Sequence, residues 1–260
     1  MNLKLQLLLN NLKKLSPASN QIYIIHNSLW LASPAMGDLP WLFNELKLIL
    51  GNNSTLCFPS FTFSNNEKKN PVWNEKLTPG KTGILSEYVR KEVGGNRTIH
   101  PTHSFVLVGD YSNDIAANIG KTAFGADSTL NALVELGAFN ISFGPGIIGG
   151  HSFLHVAEEL GNVPYRSYTK IGTPCILNNG KVYNEGFDYY GRNLCINGVY
   201  HENDWDFAWI DFQERQLIDY IDSDFGMVTL SNCKKVLNYM KNKIEFEPYF
   251  YAKKCKHNKI

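Results

Sequence analysis

Phe139-Asn140-Ile141-Ser142-Phe143-Gly144-Pro145-Gly146-Ile147-Ile148-Gly149-Gly150-His151-Ser152-Phe153-Leu154-His155-Val156-Ala157-Glu158-Glu159 is the stretch on which the reading of the fold turns. Residues 139–143 are an apolar and aromatic run of strand length, and residues 144–150 are a glycine-rich turn with one proline. A helix follows over about 152–161, with Ser152 as its expected N-cap. A strand that feeds a helix through a tight turn is the repeating unit of layered α/β proteins, and the unit recurs upstream. Leu5, Leu8, Leu12 and Leu15 stand at helical spacing and predict an opening helix over 3–15. Residues 21–25 read as a strand with His26-Asn27-Ser28-Leu29 at its carboxyl end. Asp38 offers a cap to a helix over 39–50, which Gly51 stops. Thr55 to Phe63 reads as a strand, residues 64–82 as a long polar loop, and Gly83 to Arg90 as the opening of a helix. Ser104 to Val108 is the next strand, followed by helices at 112–119 and 129–135, the second capped by Asp127 or Ser128. Beyond Pro164 come short strands and turns, then a last helical part over about 228–244. Strands and helices alternate through the first two thirds, which predicts a layered α/β domain rather than a bundle or sandwich.

The totals agree with one large domain over residues 1–260, since 260 residues of which 43% are hydrophobic can bury a full core. A formal net charge of +1 gives no global field to attract nucleic acid or an anionic membrane, so neither is expected as a partner. The lysine pairs at 13–14, 68–69 and 253–254 read as solvated surface. Cys57, Cys175, Cys195, Cys233 and Cys255 are scattered without a CxxC pair, against a zinc ribbon or dithiol site. Leu7-Leu8-Leu9 runs at once into Asn10-Asn11, too short for a signal-peptide core, and no later run is long enough to span a bilayer. A cytoplasmic location is the expectation.

Two segments gather four of the seven histidines: Arg97-Thr98-Ile99-His100-Pro101-Thr102-His103-Ser104, and Gly150-His151 through His155 to Glu159. On the expected helix, His155 and Glu158 are three apart and can touch, with Glu159 as a competing partner at i+4. A carboxylate on one imidazole nitrogen fixes the tautomer and raises the basicity of the other, which suits a general base. The plain alternative is a surface helix pair; placement after a strand and a glycine loop, where open α/β sheets hold ligands, brings the two readings level. In the first segment Pro101 fixes the backbone and biases His100 to an extended conformation. A rigid turn with one buried histidine and a ligand contact are both open there.

Gly144, Gly146 and Gly149 formally match GxGxxG. A dinucleotide site also wants an acidic residue about 20 positions on, and Val163 to Lys170 offers none. The loop is then either a tight strand-to-helix turn or a row of backbone amides facing an acyl or pantetheine group. GxxxxGK[ST], GxSxG and HExxH are absent, and the histidines lack a metal spacing, so no metal is expected.

These residues resemble the aminoglycoside 3-N-acetyltransferase (antibiotic N-acetyltransferase) family. The likeness runs from His26-Asn27-Ser28-Leu29 through Gly83-Ile84-Leu85-Ser86-Glu87 with Arg90, Arg97 to Ser104 and Gly125 to Leu130. It is strongest at Leu154-His155-Val156-Ala157-Glu158 and Val163-Pro164-Tyr165-Arg166. The resemblance implies a layered α/β/α fold with a central mixed sheet, unrelated to the GNAT acetyltransferases. It implies transfer from acetyl-CoA, or another acyl-CoA, to the amine of an amino sugar, with His155 as catalytic histidine and Glu158 as its carboxylate partner. By the same resemblance Ser28, His100, Pro101, Thr102, His103 and Ser104 look like parts of the CoA and acyl site. Transfer would be direct, with the cysteines as spectators, and a homo-oligomer is compatible with the family.

The departures concern the acceptor. Where antibiotic-modifying members look more acidic, this chain has Gly186-Phe187-Asp188-Tyr189-Tyr190-Gly191-Arg192. One acid, three aromatics and an arginine suit a less cationic acceptor, such as an amino sugar carrying a nucleotide in surface polysaccharide biosynthesis. Asp188 would hold the amine, Arg192 would meet a phosphate, and His151 would neighbour the substrate. Sheet aromatics beside a surface arginine are the plain alternative. A catalytically idle CoA- or sugar-binding protein is the rival of another class.

Overall fold

The computed structural model describes residues 2–29, 34–62, 72–144, 150–193, 195–196 and 199–255. All six residues of the strand Ile22–Asn27 are buried. Such a run, apolar on both faces, belongs in the middle of a sheet covered on both sides. It lies fourth in a seven-stranded sheet, in the order 219–221, 227–232, 139–144, 22–27, 55–59, 105–108, 96–97. Its pairings with Thr55–Pro59 and Phe139–Gly144 are parallel. The outer pairings, of 227–232 with 139–144 and of 105–108 with 55–59, are antiparallel. The sheet is therefore mixed.

The side-chain period of two separates the cores. Ile22 and Ile24 join Cys57, Phe105 and Leu107 under the helices 129–135, 154–160, 205–214 and 233–246. Tyr23 and Ile25 join Leu56, Phe58 and Val106 under the helices 3–14, 39–50 and 84–88. The architecture is α/β/α. Leu5, Leu8 and Leu12 of the first helix are 0–2% exposed, each worth about 1.5–3 kcal/mol of apolar burial.

Several expected elements differ in extent. The helix expected from residue 152 runs Leu154–Leu160 without a side-chain cap, because the Ser152 hydroxyl lies 3.2 Å from Nε2 of His26 instead. Ser128, not Asp127, caps the 129–135 helix through the amide of Asn131; Asp127 accepts from the Lys121 amide and the Thr122 hydroxyl. Asp38 ends a single 3₁₀ turn and accepts from the Ala35 amide rather than capping the 39–50 helix. The strand expected over 55–63 ends at Pro59, where the Ser60 carbonyl turns to Arg97 and Ser104. The helix over 84–88 continues as a π-turn, Val89–Val93, closed by Gly94 at φ 77°. Met227–Asn232 is an edge-side strand, and the last helix starts at Cys233 with Asn232 as its cap. The helix Trp205–Glu214, capped by Asp204, was not expected.

Register brings the loops of interest to one edge. The parallel strands end at Asn27, Pro59 and Gly144. Pro59 opposes Phe105 on its antiparallel neighbour, so the His100–Ser104 turn shares that edge. Ligands of open α/β sheets bind at such carboxyl ends. The hairpin of Arg166–Ile171 with Phe187–Arg192 adds a second wall.

Candidate active site

The helix Leu154–Leu160 buries Leu154, Val156 and Ala157 in the core, which turns its other face to the hairpin. On that face Nδ1 of His155 lies 2.5 Å from Oε2 of Glu158. Glu158 is fully buried, while the His155 side chain is 25% exposed. Burial of a carboxylate is costly unless it is paired and hydrogen-bonded, and Glu158 is held from four sides. Oε2 also meets Nη2 of Arg166 at 3.0 Å. Oε1 accepts from the Tyr165 hydroxyl at 2.9 Å and from the Asn203 side-chain amide. Arg166 donates in turn to Oδ1 of Asn203 at 3.0 Å and to the Tyr190 carbonyl at 3.1 Å.

Protonation follows from these partners. Burial alone would raise the Glu158 carboxyl; the His155 and Arg166 charges and the donated hydrogen bonds bring it down to about 2. Burial and Arg166 push His155 below its ordinary 6.5, against the opposite pull of Glu158. The result at neutral pH is an uncharged imidazole beside an ionised carboxylate. Phe124 and Trp205 lie against that imidazole, with ring centroids 5.0 and 5.6 Å away.

Glu159 turns elsewhere. It packs over Gly125, where a Cβ would stand 2.5 Å from its Oε1. Burial raises its carboxyl to about 7. His155 is therefore partnered by Glu158.

The His100–Ser104 turn is buried throughout. Nδ1 of His100 accepts from the amides of Thr102 and His103 at 3.2 and 3.1 Å. The Thr102 hydroxyl bridges Nδ1 of His100 and Nδ1 of His103, at 3.1 and 2.8 Å. His103 stacks on Tyr189 and also meets Phe124, which joins this turn to His155. Burial lowers both histidines, His100 to about 4. The Pro101 carbonyl accepts from the Thr62 hydroxyl. Ser104 donates to the Ser60 carbonyl at 2.8 Å and accepts from Nε of Arg97 at 3.1 Å. Ser28 sits at the end of its strand with its amide on the Phe143 carbonyl. Residues 145–149 of the glycine loop, and with them Gly146 and Gly149, lie outside the described residues.

The remaining candidates are less close to His155. Asp188 is ion-paired with Lys170 at 2.7 Å, so its carboxylate already has a cation. Arg192 is exposed on the hairpin, opposite Arg166, and its charge reaches His155. His151 is buried against Phe153, with Nε2 3.4 Å from the Thr229 hydroxyl and with His26 nearby. Sequence reasoning gave no role to Tyr165, Arg166, Asn203, Phe124 or Trp205. The pair Tyr165-Arg166 stood in a matching motif, but Asn203 is 45 residues from Glu158 and no local pattern marks it. Among the described residues no group of three or more His, Cys, Asp or Glu is placed to hold a metal ion. Nor is any described helix long and apolar enough to cross a membrane.

Comparison with known proteins places this arrangement. No curated protein sequence matches the chain significantly. Solved structures do. AAC-VIa bound to sisomicin superposes with a TM-score of 0.77 at 17% identity, over 93% of this chain and 97% of that one. AAC-IIIb in binary complex with CoASH gives 0.75 at 16%, over 93% and 96%. The YokD protein from Bacillus subtilis gives 0.73 at 18%, over 94% and 99%. At these identities the likeness is one of fold. The profile of the aminoglycoside 3-N-acetyltransferase family matches residues 24–241, most of the chain. The chain belongs to the aminoglycoside 3-N-acetyltransferase family and is an acyl-CoA-dependent N-acetyltransferase.

Proposed function

We propose that the chain transfers an acetyl group directly from acetyl-CoA to the amine of an amino sugar, with His155 as general base. The observation that carries this reading is the buried, multiply held Glu158 on Nδ1 of a partly exposed, uncharged imidazole. Nε2 is then the nitrogen that accepts a proton. The amine attacks the thioester carbonyl and a C–N bond forms while its proton passes to Nε2. The tetrahedral intermediate collapses, the C–S bond breaks, and CoA leaves as the thiol after taking up a proton. Such a base contributes about 10²–10⁴-fold in rate. Ser28 and the His100–Ser104 turn stand on the edge assigned to CoA. Two structures of the same fold carry sisomicin and CoASH, the two kinds of ligand that this reading calls for.

A second reading concerns the acceptor. Asp188 is neutralised by Lys170 and Arg192 is exposed near His155, which favours an acceptor that itself carries negative charge, such as a nucleotide-linked amino sugar. Release of CoA thiol from acetyl-CoA, measured over aminoglycosides and nucleotide-linked 3-amino and 4-amino sugars, tests both readings. Turnover with a member of either set supports the enzyme, and the better set names the acceptor. CoA binding with no turnover on any amine points instead to an idle binding protein.

A further inference from the structure

Arg166 has a place in the site that its motif does not explain. Its Nη2 lies 3.0 Å from Oε2 of Glu158 and 3.1 Å from Nδ1 of His155. Nδ1 lies 2.5 Å from the same Oε2, so the three atoms form a triangle. A guanidinium carries only donors and an ionised carboxylate only acceptors. An unprotonated Nδ1 would point its lone pair at the carboxylate oxygen, a repulsive contact. With the proton on Nδ1, His155 donates to Oε2, and the Arg166 guanidinium, ion-paired with the same oxygen, stands as a cation beside the ring. Nε2 is then left bare.

Charge adds to geometry. An imidazolium formed at His155 would carry its charge beside the Arg166 guanidinium. The groups that face His155 from the elements around it are Glu158 on its own helix, Arg166 and Arg192 on the hairpin, and His103 in the turn. Glu158 is the anion of that set, and it is shared with Arg166. His103 stays uncharged because burial holds it far below its ordinary value. Phe124 and Trp205 supply uncharged walls.

We propose that Arg166 is a positioning residue of the reaction: sharing Oε2 of Glu158 and standing beside Nδ1, it holds the His155 imidazole uncharged between turnovers. The proton collected at Nε2 is then released readily instead of being retained. This rests on His155 as the base, and goes beyond it by assigning the base's resting state to a residue whose side chain is buried behind it. An arginine with only a structural role would tie the hairpin to the helix through Tyr190 and Asn203 and leave the imidazole's titration untouched.

NMR of the ¹⁵N-histidine-labelled chain, with His155→Gln for assignment, reads the ring nitrogens without turnover. The wild type should show protonated Nδ1 and bare Nε2 at neutral pH, with imidazolium appearing only below 6.5. Arg166→Gln should raise that titration, since it removes a positive charge beside the ring, and the acid limb of kcat/KM should rise with it. Arg166→Lys keeps the charge and should titrate below 6.5, while lowering kcat more than it alters KM for acetyl-CoA. An Arg166→Gln titration equal to that of the wild type overturns the proposal, whereas a wild-type Nε2–H tautomer would tell against His155 as the base. Should Arg166→Gln not fold, Arg166→Lys decides, and a titration at or above 6.5 in that variant overturns it. The resonances and the loss of transfer in His155→Ala are independent, so either can fail without the other.

Discussion

At the scale of single residues, two adjacent glutamates have opposite fates. Glu158 is pulled down to about 2 from an ordinary 4.5 by His155, Arg166 and Asn203, in spite of its burial. Folding therefore weakens its hold on the proton, and its stabilising contribution is complete above about pH 4.5 and lost as pH falls towards 2. Glu159 goes the other way, since burial lifts it to about 7. The folded chain keeps that proton where the unfolded chain releases it, so stability falls as pH rises from 4.5 through 7. Glu159→Gln should accordingly unfold at a higher temperature than the wild type at pH 8, by about 1–3 kcal/mol of stability, and match it at pH 4.5 and below. Equal midpoints at pH 8 would contradict the assignment. Glu158→Gln removes the negative charge that supports Nδ1–H and should lower kcat by about 10²–10⁴-fold, which steady-state CoA release measures. Arginines 90 and 97 illustrate a different lesson. Arg90 clasps Glu87 through two hydrogen bonds of 2.8 Å. Arg97 lies over Trp73 and ties the carbonyls of Ser60, Glu75 and Thr78. Both belong to the stretches that carry the family likeness, and both serve the scaffold.

At the scale of elements, the site depends on how closely the helix 154–160 can approach the sheet. Gly150 makes that approach possible, because a Cβ there would meet Oγ of Ser142 at 1.8 Å and its Cβ at 2.5 Å. The polar residues Asn140 and Ser142, on a strand whose other face carries Ile141 and Phe143, mark the spot, and Asn140 holds the Gly150 carbonyl at 2.8 Å. Gly150→Ala should cost about 1–3 kcal/mol through overpacking and lower transfer by shifting His155. Thermal unfolding checks the first effect, and Ser142→Gly in the same chain should restore part of both. The strand Val199–Asn203 matters for a separate reason: pairing with Ala252–Cys255 carries Asn203 to Glu158. Asn203→Leu leaves one carboxylate oxygen with a single donor and should destabilise the fold by about 1–3 kcal/mol. It should also raise the pH at which the acid loss of stability is complete and make that loss smaller, which unfolding midpoints across the acid range will show.

Across the whole molecule, what could be read in advance was whatever lies close together along the chain. The parallel strands announced themselves as short apolar runs, and His155 with Glu158 by helical spacing alone. Met227–Asn232 escaped because Val228 to Leu230 is a short apolar run directly before a true helix, where periodicity does not separate the two states. The helix at 205–214 escaped because its Trp and Phe residues resemble strand composition, although Asp204 was a cap signal. Arg166, Tyr165 and Asn203 reach Glu158 through tertiary folding, which no spacing in the sequence records. The central claim, that His155 is the base of direct acyl transfer, is tested most directly by His155→Ala. CoA thiol release with an accepted amine should fall by about 10²-fold or more, while CoA binding measured by calorimetry stays close to that of the wild type. Unchanged turnover in a folded His155→Ala chain would contradict the account.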